Sequence, residues 1–442
     1  MFAIVVTCFV LCVLVPKEID CVPKTNNSLS YTNVLLRRWG LKEETYNETL
    51  QETNFLLPVV VTNFGRNIYE ALLEDRAVRN KNSIISPFSI HLVMSMLYYG
   101  AKKPSSTRDQ LHNALGSQVD RETFTKSAWH YLKLLQMYKR EKEALGLQTE
   151  IANKIFVKEG FEVKQLFKEV LKFYLTSSEN IDFENPSLAA SEINQFVSTK
   201  TKGLIDKIIS PSNIDSLTRL VLVNAIYFKA GWKYSFDKDL TSPMEFTLSN
   251  NKVIQHPRGM RVTADFRRGS IEELNADVLE LPYIDPDFKM YIIIPQRNEL
   301  SSLDRIATSI NFSKIQDILN SSAKDRVKVT LPAFEISFEN DLKRSLKSLG
   351  ITSIFEPYEA EFTEISDEEL YVSSILHRAE LKVDEEGSEA AAATGVVLGT
   401  KSFRPPTVHE FRVDRPFVFV IHDTRNKIPL FIGRVLNPTE KI

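Results

Sequence analysis

The chain has 442 residues, 43% hydrophobic and 25% charged, an ordinary balance for a globular protein with a large core. Its 55 Lys and Arg nearly cancel 57 Asp and Glu, so a net charge of −2 gives no electrostatic footprint for nucleic acid. All three cysteines, Cys8, Cys12 and Cys21, lie in or beside one N-terminal apolar run, which excludes a disulfide-stapled scaffold and leaves burial to stabilise the fold.

That run, Phe2 to Val15, carries no charge. It is too short for a bilayer span of roughly 20 apolar residues, and residues 1–21 read as a secretory signal peptide cleaved between Val15 and Val22. No membrane anchor is expected. Residues 22–55 are polar and read as an exposed N-terminal extension, with the globular body over 56–442. Sequons at Asn26, Asn47, Asn311 and Asn320 suit an exported glycoprotein.

A helical period covers Val59 to Ala77, with Phe64, Ile68, Ala71 and Leu72 on one face. Ser86-Pro87 opens a second helix that stops at Gly100, a hydroxyl cap followed by proline at the first turn. Segments 107–116, 121–143, 162–176 and 186–201 also read as helices. Strands are expected at 148–158, 218–229, 277–283, 288–295, 326–338, 370–383, 416–422 and 429–435. Val221-Leu222-Val223 and Tyr291-Ile292-Ile293-Ile294 are continuously apolar, as strands buried on both faces are. Helices dominate the first half and strands the second, which predicts an α+β fold.

Local enzyme motifs are absent. The chain has no Gly-x-Ser-x-Gly elbow, no glycine-rich phosphate loop, no Cys-x-x-Cys and no His-Glu-x-x-His, and His409-Glu410 lacks a second histidine for zinc. No catalytic role, cofactor or metal is expected. His377, between Leu376 and Arg378 in a strand pattern, reads as a hydrogen-bonded structural histidine. Lys126, Lys133, Lys139, Arg140 and Lys142 fall on or just after one helix, interrupted by Glu141 and Glu143. A solvated face is favoured there over a polyanion site.

The most informative stretch is Glu385-Glu386-Gly387-Ser388-Glu389-Ala390-Ala391-Ala392-Ala393-Thr394-Gly395. Alternate residues of a strand share a face. One face would read Ser388, Ala390, Ala392, Thr394, Val396, Leu398, beginning small, turning apolar and uncharged throughout. The other carries its only charge at Glu389. A helix between Gly387 and Gly395 would fall well short of the ~12–15 residues that isolated helices need, so the segment has weak commitment to either state.

With its flanks, this stretch resembles the reactive-loop hinge of the serpin family. Asn82-Ser83-Ile84-Ile85-Ser86-Pro87-Phe88-Ser89-Ile90 looks like the opening of that family's helix B. Asn224-Ala225-Ile226-Tyr227-Phe228-Lys229-Ala230-Gly231-Trp232 is similar to its strand-to-turn block, and Leu331-Pro332-Ala333-Phe334 to another strand motif. Asp414-Arg415-Pro416-Phe417-Val418-Phe419 and Leu430-Phe431-Ile432-Gly433-Arg434-Val435 resemble its C-terminal block. His422 departs from the arginine that many members carry.

The resemblance implies one monomeric domain with three β-sheets, eight or nine helices and a reactive loop over 385–406. It places Ser86, Asn224 and His377 in a hydrogen-bonded cluster beneath the central sheet, with Trp232 near the top where the loop enters. It implies a secreted suicide inhibitor of trypsin-like serine proteases, acting in an extracellular cascade and trapping the protease in a covalent complex. The family's count from Glu385 sets the scissile bond at Lys401-Ser402. Arg404 competes, but Pro405 after it would block most serine proteases. The alternative is a non-inhibitory member acting as a carrier.

Overall fold

A computed structural model describes residues 45–116, 125, 127–129, 131–132, 143, 147–387 and 407–440, with side chains from Leu57 onward. The chain divides into two compact units, Met1–Gln51 and Glu52–Ile442. All three sheets and both hydrophobic cores belong to the second.

In chain order, α1 (Thr45–Leu73) and α2 (Arg76–Arg79) lead into β1 (Ser83–Ile85), α3 (Pro87–Gly100) and α4 (Ser106–Ala114). Helical residues at Thr125, Ser127, Ala128, Trp129, Tyr131 and Leu132 mark another helix. Then come β2 (Gln148–Lys158), α5 (Gln165–Phe173), β3 (Ser178–Ile181) and α6 (Pro186–Lys200). Strands β4 (Leu220–Lys229), β5 (Asp237–Thr247), β6 (Val253–Phe266), β7 (Arg268–Ile271), β8 (Ala276–Pro282) and β9 (Phe288–Pro295) form the middle of the chain. Helices α7 (Leu300–Ser309) and α8 (Phe312–Ser321) precede β10 (Asp325–Pro332), β11 (Phe334–Asp341), α9 (Lys343–Ser348) and β12 (Val372–Val383). The chain closes with β13 (His409–Arg412), β14 (Phe417–Asp423) and β15 (Ile428–Val435). The fold is mixed α+β with three sheets, as expected.

The central sheet has five strands in the order β11-β12-β4-β2-β3. A six-stranded sheet runs β1-β15-β14-β9-β8-β7, and a four-stranded one β13-β10-β6-β5. Two departures from the sequence reading stand out. The first helix begins at Thr45, ahead of Val59, and a separate turn of helix follows it. The run 326–338 is not one strand: Pro332 pairs with Gly259 of β6, whereas Phe334 pairs with Val383 of β12, so the chain changes sheets at Ala333.

Strand β4 shows why the central sheet lies between two cores. Val221, Val223 and Ala225 pack with Ala189, Ile193 and Val197 of α6. Leu220, Leu222, Ile226 and Phe228 alternate to the opposite side and join the larger core, which includes α3. Phe88, Ile90, Leu92, Val93, Met94, Met96 and Leu97 make α3 apolar around its circumference, and all are buried, as a helix inside a large protein must be.

Candidate functional site

Strands β4 and β12 lie side by side and parallel, from the pair Leu220 with Val372 to Phe228 with Leu381. In the middle of that ladder Asn224 sits opposite His377, and Asn153 of β2 sits opposite Asn224 on the other side. Period two turns Asn224 toward the larger core with Leu222 and Ile226, so these polar groups are buried and must satisfy one another. His377 Nδ1 lies 2.5 Å from Asn224 Oδ1. Because that oxygen can only accept, the ring donates from Nδ1. Asn224 Nδ2 donates to Asn153 Oδ1 at 2.6 Å and to Ser89 Oγ. Burial pushes the His377 imidazole down to about 3, so the ring is neutral at physiological pH. Its Nε2 has no hydrogen-bond partner among the described residues.

Ser86 stands one step away from this cluster. Its Oγ caps α3, accepting from the Ser89 amide at 3.4 Å. Ser89 and Asn153, which the sequence reading did not single out, make the direct bonds to Asn224. His422 is buried in the core as well. It stacks on Phe312 with ring centroids 5.0 Å apart, and burial pushes its imidazole down to about 3.

The end of β12 is the second part of the site. The chain reverses over Asp384–Gly387: the Asp384 amide donates to the Gly387 carbonyl at 3.0 Å, and the Gly387 amide donates back at 3.3 Å. Gly387 then pairs antiparallel with Gly231, just past the end of β4. Its φ is +114°, and a Cβ there would sit 2.2 Å from the Ala230 carbonyl oxygen and 2.7 Å from the Gly231 Cα. Only glycine fits a backbone approach of that kind.

Trp232 fastens the reversal. Its amide donates to Glu386 O at 3.1 Å, and its indole Nε1 donates to Asp384 O at 3.0 Å. The indole stacks on Tyr283 with centroids 4.6 Å apart and planes 7° from parallel. The acidic pair is held from the four-stranded sheet. Glu385, only 4% exposed, pairs with Arg258 of β6 and accepts from Thr241 Oγ1 of β5 at 3.0 Å. Burial works to raise its carboxyl, but its own amide, Arg258 and Thr241 outweigh that and hold it below the usual range. Glu386 pairs with Lys238 of β5. Burial instead raises the neighbouring Asp384.

A family model for Serpin (serine protease inhibitor) matches residues 60–438. The chain belongs to the serpin family. It is 33% identical over 399 residues to glia-derived nexin of Mus musculus, covering 89% of this chain and 96% of that protein. Neuroserpin of Gallus gallus is 36% identical over 383 residues, covering 84% of this serpin and 89% of the relative. The crystal structure of native protease nexin-1 with heparin superposes at a TM-score of 0.74 with 30% identity, covering 86% of this chain and all 100% of that one. The family is one of protease inhibitors, and this serpin shares its fold throughout the matched span.

Other expected positions fall elsewhere. Ser388, Glu389, Ala390, Ala391, Ala392, Ala393, Thr394, Lys401 and Ser402 lie outside the described residues, as does Asn26, and the side chain of Asn47 is likewise outside them. Of the basic residues considered for a polyanion, Lys126, Lys133, Lys139, Arg140 and Lys142 are also outside. Asn311 is exposed and caps α8 through its Oδ1, which accepts from the Lys314 amide at 3.1 Å. Asn320 is exposed near the end of the same helix. Among the described residues no group of His, Cys, Asp and Glu could hold a metal, and no helix is long and apolar enough to cross a membrane.

Proposed function

We propose that this serpin is a secreted suicide inhibitor of trypsin-like serine proteases, acting in an extracellular cascade and cut between Lys401 and Ser402. One observation carries the reading. At Gly387 the chain already runs antiparallel both to Asp384, just past the end of β12, and to Gly231, just past the end of β4, and those two strands are parallel neighbours. A segment continuing from Gly387 between them would exchange one parallel ladder for two antiparallel ones, the more stable pairing per residue. Small, uncharged alternate side chains from Ser388 to Thr394 could enter without burying an unpaired ion.

In this mechanism the protease serine attacks the Lys401 carbonyl, the amine of Ser402 leaves, and an acyl-enzyme forms. The freed segment then parts β4 from β12, breaking the His377–Asn224 bond. Hinge insertion stretches the acyl-enzyme before water can release it. The lysine side chain suits the acidic specificity pocket of a trypsin-like protease. Export rests on the N-terminal apolar run and the sequons.

The test is incubation of the full chain with trypsin. The expected result is a complex that survives SDS, release of the fragment Ser402–Ile442 identified by mass, and a nicked form that melts well above the intact one. Lys401→Ala should abolish the complex. Cleavage at Lys401 with no complex and no gain in melting temperature would favour a carrier module instead. Adding heparin to the same assay asks whether a polyanion speeds the reaction, and no acceleration is expected.

A further inference from the structure

Residues 356–369, on the approach to β12, contain seven acidic residues and no lysine or arginine. Tyr358 stands in this segment 96% exposed, whereas every other tyrosine whose side chain is described is buried or half-buried. A phenol ring usually covers at least one face against the protein. Here a turn prevents it. The amides of Glu359 and Ala360 both donate to the Glu356 carbonyl, at 3.1 and 3.0 Å. Pro357 occupies the second turn position, where its fixed φ is favoured. The base of the loop is tied to the body: Thr107 Oγ1 donates to Glu359 O at 3.2 Å, and the Lys102 amide donates to Glu361 O at 2.8 Å. Lys347, Lys102 and Lys164 pair with the carboxylates of Glu356, Glu361 and Asp367 at 2.6, 3.0 and 2.5 Å. Glu359, next to Tyr358 in the sequence, is exposed.

The geometry points to Tyr358 as an acceptor for sulfuryl transfer, a modification site for a tyrosylprotein sulfotransferase. The nucleophile is the phenol oxygen, presented on a fixed turn where a large enzyme can reach it. A transferase that grips a phosphosulfate donor must be strongly cationic around its acceptor cleft, and the exposed Glu359 with the acids that follow it suits that field. In the step, the phenol oxygen bonds to sulfur and the S–O bond to the donor's phosphate breaks. The nucleotide bisphosphate departs with that electron pair, and the phenol proton passes to a base of the transferase. The inference rests on the proposed export, because these transferases work in the secretory lumen. Tyr46 also has acidic neighbours in sequence, Glu43, Glu44 and Glu48, but adjoins the sequon at Asn47. It is the natural control.

The test has two arms. Full-length protein from bacteria, which add no such group, is incubated with the transferase and a 35S-labelled phosphosulfate donor. Because the bacterial chain carries no glycan at Asn47, the assay uses a Tyr46→Phe background, in which one label per chain is expected and is lost on adding Tyr358→Phe, with melting temperature unchanged in both variants. No incorporation, or label that survives Tyr358→Phe, would overturn the assignment. Protein from animal cells is then mapped by peptide mass. A group on Tyr358 that resists phosphatase and is shed in mild acid supports it; an unmodified or phosphorylated Tyr358 in exported protein overturns it. A chain retained inside those cells with its N-terminal run uncut would refute export, while the first arm still decides whether Tyr358 is an acceptor.

Discussion

Replacing Gly387 by alanine separates the intact state from the inserted one. In the intact molecule a Cβ at this position meets the Ala230 oxygen at 2.2 Å and the Trp232 nitrogen at 2.8 Å, with φ at +114°. Those neighbours are backbone and cannot swing aside. The strained φ costs about 1–3 kcal/mol for a residue other than glycine. Relieving the clash breaks the Trp232 amide bond to Glu386, worth about 1 kcal/mol. The intact state should lose about 2–4 kcal/mol in all. Unfolding entropy near 2.1 cal/mol/K per residue gives about 0.8 kcal/mol/K for a domain of this size, so its melting temperature should fall by about 3–5 °C. After cleavage the segment is expected to be an ordinary strand, where alanine is tolerated. Calorimetry on intact and nicked variants therefore reads a difference. An intact form that melts unchanged, or a nicked form that falls by as much, would refute the reading that position 387 requires glycine only in the intact state.

Ser388→Arg should turn the proposed inhibitor into a substrate, cleaved at the same bond by trypsin but leaving no SDS-stable band, because a charge would have to enter the sheet; an undiminished band argues against insertion. Arg258→Ala strips Glu385 of its cation, and since Arg258 is half exposed the loss should be only about 1 kcal/mol after solvent screening. It should still speed the loss of inhibitory activity on warm storage, and an unchanged rate would show that this ion pair does not restrain the hinge. His377 and His422, both lowered from 6.5 to about 3, bind protons more readily unfolded than folded. Stability is therefore fully present above pH 6.5 and falls below it by about 1.4 kcal/mol per pH unit for each histidine, down to about pH 3. Denaturant midpoints across that range read the slope, and His377→Gln should remove its share.

How much of this fold was legible depended on whether each element carries its signal in its own residues. Strands β4, β9, β14 and β15 are buried along nearly their whole length, so continuous apolar runs announce them. Strands β5 and β6 expose many positions and contain Pro243 and Pro257, and no run marks them. Because they were missed, their contacts with Glu385 and Glu386, made by Lys238, Thr241 and Arg258, were missed too. The helices α7 and α8 are short and amphipathic, and Asn311 was read only as a sequon although its side chain also caps α8. The change of sheet at Ala333 has no local signature, since both halves of 326–338 obey the strand pattern. In the buried cluster a signal was available. Ser89 lies in a helix otherwise apolar nearly all round, and Asn153 shares a strand face with Ile151 and Ile155; polar residues at such positions require partners.

The order of the six-stranded sheet bears on how the chain is made. Its interior is built from β14 and β15, the last two strands to leave the ribosome, inserted between β1 from the early chain and β9 from the middle. Asn82 then clasps the C-terminal segment, its side chain bonding the backbone of Leu436 and Asn437. A nascent chain, or one truncated before Phe417, leaves β1 and β9 with bare edges at the heart of the molecule. Such edges invite pairing with another chain, so premature stop codons near the 3′ end should yield aggregates held inside the cell, whereas a cut within residues 388–406 severs a chain whose closing strands are already in place.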